Sequence, residues 1–181
     1  MFGRYTEKAR RVIFFARYEA SLLGSNLIEP PHLLLGLLRE DKGLFVTLLG
    51  SPKPFKNPGE LMGLKASGEN VSTSVDLPVS PASQRVLIFA AEESERLNHE
   101  HVTPGHLVLG LLREPGAARD LLEKSGLTLS TVRAALPGGA ALPANQRIVA
   151  DLQAQLAAMR NRLQPELEPA VAYHLNVERA Q

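Results

Sequence analysis

Five histidines carry whatever imidazole chemistry this chain can perform, and two of them, His32 and His106, stand at the same point of a run that occurs twice. A histidine near the start of a helix can move protons, but it can equally hydrogen-bond the loop and cap groups that a helix start leaves unpaired. The second role is the expectation for both. His99 and His101 bracket Glu100, a spacing of two with no third ligand, so a solvent-exposed loop is expected there and no metal site. Glu92, Glu93 and Glu95 with Arg96 read as a solvated helix face, not as a catalytic carboxylate pair. There is no cysteine, hence no thiolate nucleophile, disulfide or cysteine metal site. No Ser/His/Asp order or nucleophile elbow occurs, so the expectation is a protein that is not an enzyme and needs no cofactor or metal.

The two histidines open His32-Leu-Leu-Leu-Gly-Leu-Leu-Arg-Glu40 and His106-Leu-Val-Leu-Gly-Leu-Leu-Arg-Glu114. A helix so apolar on nearly every side must be covered by other helices. Gly36 and Gly110 fall in the middle of these runs, where glycine costs roughly 1 kcal/mol against alanine, so another backbone is expected to pass close by. Pro30 and Pro104 suit the first helical turn. Thr103 is a good N-cap, and Glu29 in the first copy is a weaker one.

Sliding residues 6 to 40 onto 80 to 114 without a gap gives identity at Arg11/Arg85, Val12/Val86, Phe15/Phe89, Ala16/Ala90, Glu19/Glu93, Leu23/Leu97 and Pro30/Pro104, besides the central run. The chain is a tandem repeat. Residues 6 to 23, capped by Thr6, and 80 to 97, started by Ser80-Pro81, are each copy's first helix, with Ala9, Val12, Ala16 and Ala20 facing in. A short helix at 44 to 49 and a last one at 128 to 136 follow the central helices, and Glu60 to Lys65 could form one weak helical piece. The fold class is therefore all-α, a duplicated helical unit packed on its twin about a pseudo-twofold over 1–136, with repeat one at 1–50, a linker at 51–79 and repeat two at 80–136. Residues 137–181 match neither copy. There Val149, Leu152, Leu156, Met159 and Leu163 step by three and four, the seam of an amphipathic helix over about 145–164. That helix either folds back on the repeats or forms a weak homodimer, and two heptads are short for stable association.

With 181 residues, 44% of them hydrophobic, the chain can bury a real core. A net charge of +1 argues against nucleic acid as a partner, although Lys and Arg are denser before residue 66 and acids from 66 to 140. No apolar run is long enough to span a membrane. Arg10-Arg-Val-Ile-Phe-Phe-Ala16 could pass for a twin-arginine signal, but Arg17 and Glu19 interrupt it and Arg85-Val-Leu-Ile-Phe-Ala90 repeats it inside the chain. A cytoplasmic protein is expected.

The opening Met-Phe-Gly-Arg-Tyr-Thr-Glu-Lys-Ala-Arg, the long helix and the His-Leu-Leu-Leu-Gly-Leu-Leu-Arg-Glu run, all repeated after a linker, resemble the N-terminal domain of Clp ATPases of the ClpA/ClpC type over residues 1 to about 136. The resemblance implies an all-α domain of two four-helix repeats that recruits adaptors or substrate proteins to an unfolding ring feeding a protease, so Clp subunits, adaptors or clients are the expected partners. No Gly-x-x-x-x-Gly-Lys-Ser/Thr phosphate loop occurs, and too little chain follows residue 140 for an ATPase module. With Met1 at the start and a tail unlike the family, a complete stand-alone domain is expected. The alternative is an interaction or self-association domain with no link to Clp.

The resemblance also places a partner groove near the starts of the two first helices, at Phe2, Tyr5, Thr6, Arg10, Val79, Ser80 and Gln84. Phe2 has no core-periodic role, so it is either an exposed anchor or a staple on its own helix. In the ClpC branch, a hydroxyl at each first helix and a glutamate just before each histidine resemble a phosphoarginine pocket. The hydroxyls survive here as Thr6 and Ser80, but Pro31 and Gly105 hold the carboxylate positions, so the charge-assisted part of that recognition is lost.

Overall fold

The computed structural model describes residues 3–65 and 77–137, and every structural statement below concerns these residues. The chain divides into a unit at Met1–Ala140 and a second at Ala141–Gln181, which lies outside the described residues. The expected helix at 145–164 lies there too, with Val149, Leu152, Leu156, Met159 and Leu163, as do Phe2 and the polar stretch 66–76.

Eight helices make up the first unit: α1 (Glu7–Leu22), α2 (Pro30–Glu40), α3 (Lys42–Leu49), α4 (Pro58–Leu61), α5 (Pro81–Arg96), α6 (Pro104–Arg113), α7 (Ala117–Lys124) and α8 (Leu129–Ala135). The helix starts obey the sequence. Thr6 accepts the Ala9 N–H, Ser80 accepts that of Ser83, and Pro30, Pro81 and Pro104 occupy first turns where no donor is lost. Gly50 closes α3 at φ +70°, a conformation that costs glycine nothing.

Each long helix packs on the central helix of its own repeat, α1 on α2 and α5 on α6. The contact is a backbone contact. A Cβ on Gly36 would overlap the Val12 carbonyl oxygen and lie 2.8 Å from the Ala16 nitrogen, and one on Gly110 would overlap the Val86 carbonyl oxygen. The glycines thus let the helices approach closer than any side chain permits. Every residue of α6 from Pro104 to Leu112 is buried, whereas Leu35 and Leu38 of α2 are only half-buried.

Two short parallel bridges join the repeats, Tyr5 to Val102 and Ile28 to Val79. The gapless alignment that defines the duplication carries Tyr5 onto Val79 and Ile28 onto Val102, so the two bridges are one contact made twice about a pseudo-twofold. Ion pairs repeat in the same way. Arg11 holds Glu40 as Arg85 holds Glu114, and Arg39 holds Glu19 as Arg113 holds Glu93.

One expected boundary differs. Repeat one's fourth helix, α4, falls inside the stretch expected as linker, overlapping the weak helical piece expected at Glu60 to Lys65, and Met62 and Leu77 of that stretch are buried in the core. Within the loop expected at Ser51 to Gly59, Phe55 packs half-buried against the core while no residue of α4 is buried, because proline and glycine mark turns without saying which side chains between them are covered.

Candidate functional site

The repeated histidines sit at the starts of α2 and α6, buried to 1% and 0% exposure. The Glu29 N–H donates to His32 Nδ1 at 3.0 Å, and the Thr103 N–H donates to His106 Nδ1 at 2.9 Å. Each imidazole therefore satisfies a backbone donor at the helix entrance, and its proton resides on Nε2. Burial lowers the pKa of His32 to about 4. The same burial, with His99 adding to it and Glu93 opposing, lowers that of His106 to about 4. A neutral ring whose accepting nitrogen is already occupied is a cap, and poorly placed to take a proton from a substrate.

His99 does not stand in solvent as expected. It is half-buried, with its Nδ1 2.8 Å from His106 Nε2, and the two rings meet edge-on. The second copy has recruited an extra partner for its cap, since the aligned position in the first copy is Ser25. The expected solvated face at Glu92 to Arg96 is corrected as well. Glu93 is wholly buried, gripped by Arg133 through both carboxylate oxygens at 2.7 and 2.8 Å and by Arg113 at 3.2 Å. Desolvation raises its pKa, but the arginines, Arg133 foremost, outweigh that and hold it below the ordinary value. Glu92 and Glu95 do remain at the surface, paired with Arg113 and Arg4.

The residues expected at a partner surface form two aligned sets, one at each inter-repeat bridge: Tyr5, Thr6 and Arg10 at the first, Val79, Ser80 and Gln84 at the second. Their exposures divide them. Arg10 and Gln84 are exposed, and Gln84 donates to the Val79 carbonyl at 3.1 Å. Tyr5 and Ser80 are buried: the Tyr5 hydroxyl donates to the Leu87 carbonyl at 3.2 Å, and Ser80 caps α5. Thr6 is half-buried, and its N–H donates to the Val102 carbonyl at 3.0 Å. Tyr5 and Ser80 are thus parts of the frame and offer little surface to a partner. Sequence reasoning passed over Phe14 and Ile88, aligned with each other and 63% and 52% exposed. Among the described residues, no three His, Cys, Asp or Glu side chains converge as a metal would need.

The family model described as the Clp repeat (R) N-terminal domain matches residues 4–125 and 78–172. The chain belongs to that family.

As a Clp repeat domain it is similar to the ClpC/MecB protein of Bacillus subtilis, named a negative regulator of genetic competence, at 36% identity over 139 residues. It is 38% identical over 135 residues to the chloroplastic chaperone ClpC2 of Oryza sativa subsp. japonica. These matches cover 74% of this chain but only 16% and 15% of those proteins. Among solved structures, the N-terminal domain of the ClpD chaperone of Arabidopsis thaliana superimposes with a TM-score of 0.59 at 30% identity, over 75% of this chain and 96% of that one. The Hsp104 N-terminal domain of Candida albicans, at 18% identity and a TM-score of 0.57, shares the fold.

The structure also bears on the positions that a phosphoarginine pocket would need. Pro31 is half-buried and Gly105 buried, and a Cβ on Gly105 would run into the Leu136 side chain, which lies 3.2 Å away at its Cγ. A glutamate at 105 would have to displace Leu136 from the core.

Proposed function

We propose that this Clp repeat domain is a non-enzymatic protein-binding module that presents adaptor or client proteins to a Clp-type chaperone–protease. The observation that carries this reading is the extent of the match: three quarters of the chain correspond to the N-terminal sixth or so of ClpC-type chaperones, with both repeats in order. Supporting it, the paired histidines, the one duplicated feature that could suggest catalysis, are consumed as helix caps. A pair of repeats with matched exposed apolar residues at Phe14 and Ile88 suits holding proteins, because apolar side chains left in water at defined places gain when a partner covers them.

Affinity purification of the full chain from its native lysate tests the proposal. Recovery of Clp ATPase or protease subunits is the expected result. Recovery of the chain alone, or of unrelated proteins reproducibly without Clp subunits, would instead favour the self-associating or Clp-independent module.

A further inference from the structure

The two repeats part company at one place. In repeat one Glu19 is met by Arg39 at 2.7 Å and keeps 19% of its side chain exposed. Its counterpart Glu93 is closed over by Arg133 at 2.7 Å, Arg113 at 3.2 Å and Arg96 at 3.7 Å. Arg133 comes from α8 and has no equivalent in repeat one, whose fourth helix is the four-residue α4. Three guanidiniums against one carboxylate exceed what a single bidentate pair needs to satisfy both oxygens. Glu92 returns part of the excess by holding Arg113 at 2.6 Å.

Two of the three, Arg113 and Arg133, face a groove of about 660 Å³ beside α6, α7 and α8. Phe89, Leu112 and Leu129 give it an apolar floor, and Arg113, Arg119 and Arg133 line it with positive charge that Glu123, also in the lining, offsets only in part. Arg113 is stacked 4.2 Å above the Phe89 ring, which fixes its plane. Arg133 spends Nε and Nη2 on Glu93, and Arg119 spends Nε on Glu123, so Arg133 Nη1 and both Nη groups of Arg119 are without a hydrogen bond to another described residue. Ser130 adds a hydroxyl to the lining.

We propose that this groove is a binding site for an acidic peptide segment of a partner protein. An oxyanion, carboxylate or phosphate monoester, is received by Arg119 and the outer edge of Arg133, while the apolar residue beside it packs on Phe89, Leu112 and Leu129. Glu93 acts as the buried anchor that fixes Arg133 in advance, so little side-chain entropy is lost when the anion arrives. The site deepens the protein-binding reading and rests on it.

The test uses the full chain, isotope-labelled for NMR, titrated with three peptides that differ at one position: Leu-Glu-Leu, Leu-phosphoserine-Leu and Leu-Gln-Leu in a common alanine–serine frame. At least one anionic peptide is expected to bind at least tenfold more tightly than the glutamine peptide, with shifts centred on Leu129, Ser130 and Arg133. Preference for glutamate assigns the site to carboxylates, and preference for phosphoserine to phosphate esters. Arg119→Gln, which leaves the Glu93 cluster intact, is expected to weaken the anionic peptide at least fivefold with Tm unchanged. Equal binding of all three peptides, shifts centred elsewhere, or full affinity in Arg119→Gln would overturn the proposal. None of these results bears on whether Clp subunits are recovered from lysate, so the two readings fail separately.

Discussion

Gly110 lies so close to α5 that a side-chain carbon placed on it would overlap the Val86 carbonyl oxygen and stand 3.2 Å from the Ala90 nitrogen. Gly36 bears the same relation to Val12 and Ala16 in the first repeat. In an exposed helix, alanine would improve on glycine by roughly 1 kcal/mol. Here the obstacle is main chain and cannot rotate away, so helices must separate at a cost of about 1–3 kcal/mol or more for overpacking. Gly36→Ala and Gly110→Ala are each expected to lower stability by about 1 kcal/mol net, read as a shift in the urea midpoint. An unchanged or raised midpoint in either variant would show that the close approach is not needed.

Acid should loosen the domain through its buried caps. His32 and His106 have pKa values lowered to about 4, against about 6.5 in the unfolded chain, so folding holds them neutral. The unfolded state takes up protons first as pH falls. Stability is therefore full above pH 6.5, declines as pH drops from about 6.5 to 4, and gains no further loss from these two groups below that. Each histidine accounts for on the order of 3 kcal/mol. Replacing His106 with Gln should flatten part of that slope while lowering stability at pH 7, measured by urea unfolding at a series of pH values.

The unequal environments of the aligned glutamates give a paired comparison. Glu93→Gln removes the buried charge that three partly exposed arginines surround, and losing its charge-assisted hydrogen bonds costs about 1.5–3 kcal/mol. Glu19→Gln removes a partly exposed pair with Arg39, worth about 1 kcal/mol or less. The first variant is expected to melt well below the second. Equal Tm values would mean that Glu93 is not the anchor its burial indicates.

Phosphoarginine should not bind. Thr6 and Ser80 supply hydroxyls, but Pro31 and Gly105 supply no carboxylate, and Leu136 covers the position at Gly105. Calorimetry with a phosphoarginine peptide is expected to show no heat beyond dilution. Saturable binding would overturn this.

Much of the fold was legible in the residues themselves. The gapless repeat, the caps at Thr6 and Ser80, the prolines opening α2, α5 and α6, and the glycines facing a neighbouring backbone are local or periodic signals, written in one helix at a time. What no local pattern could supply was the depth of each group. Glu93, Glu92 and Glu95 look alike along α5, and His99 looks like any loop histidine.

Tertiary structure decided which of these were drawn inside. Arg133 reaches Glu93 from 40 positions away and makes it the most enclosed carboxylate among the described residues, Tyr5 turns inward to bridge the repeats, and α4 forms within what read as a linker. Helical periodicity fixes the face on which a residue lies, but burial depends on what distant chain covers that face. That covering segment is chosen by the packing of the whole unit, and so it is absent from any single stretch of sequence.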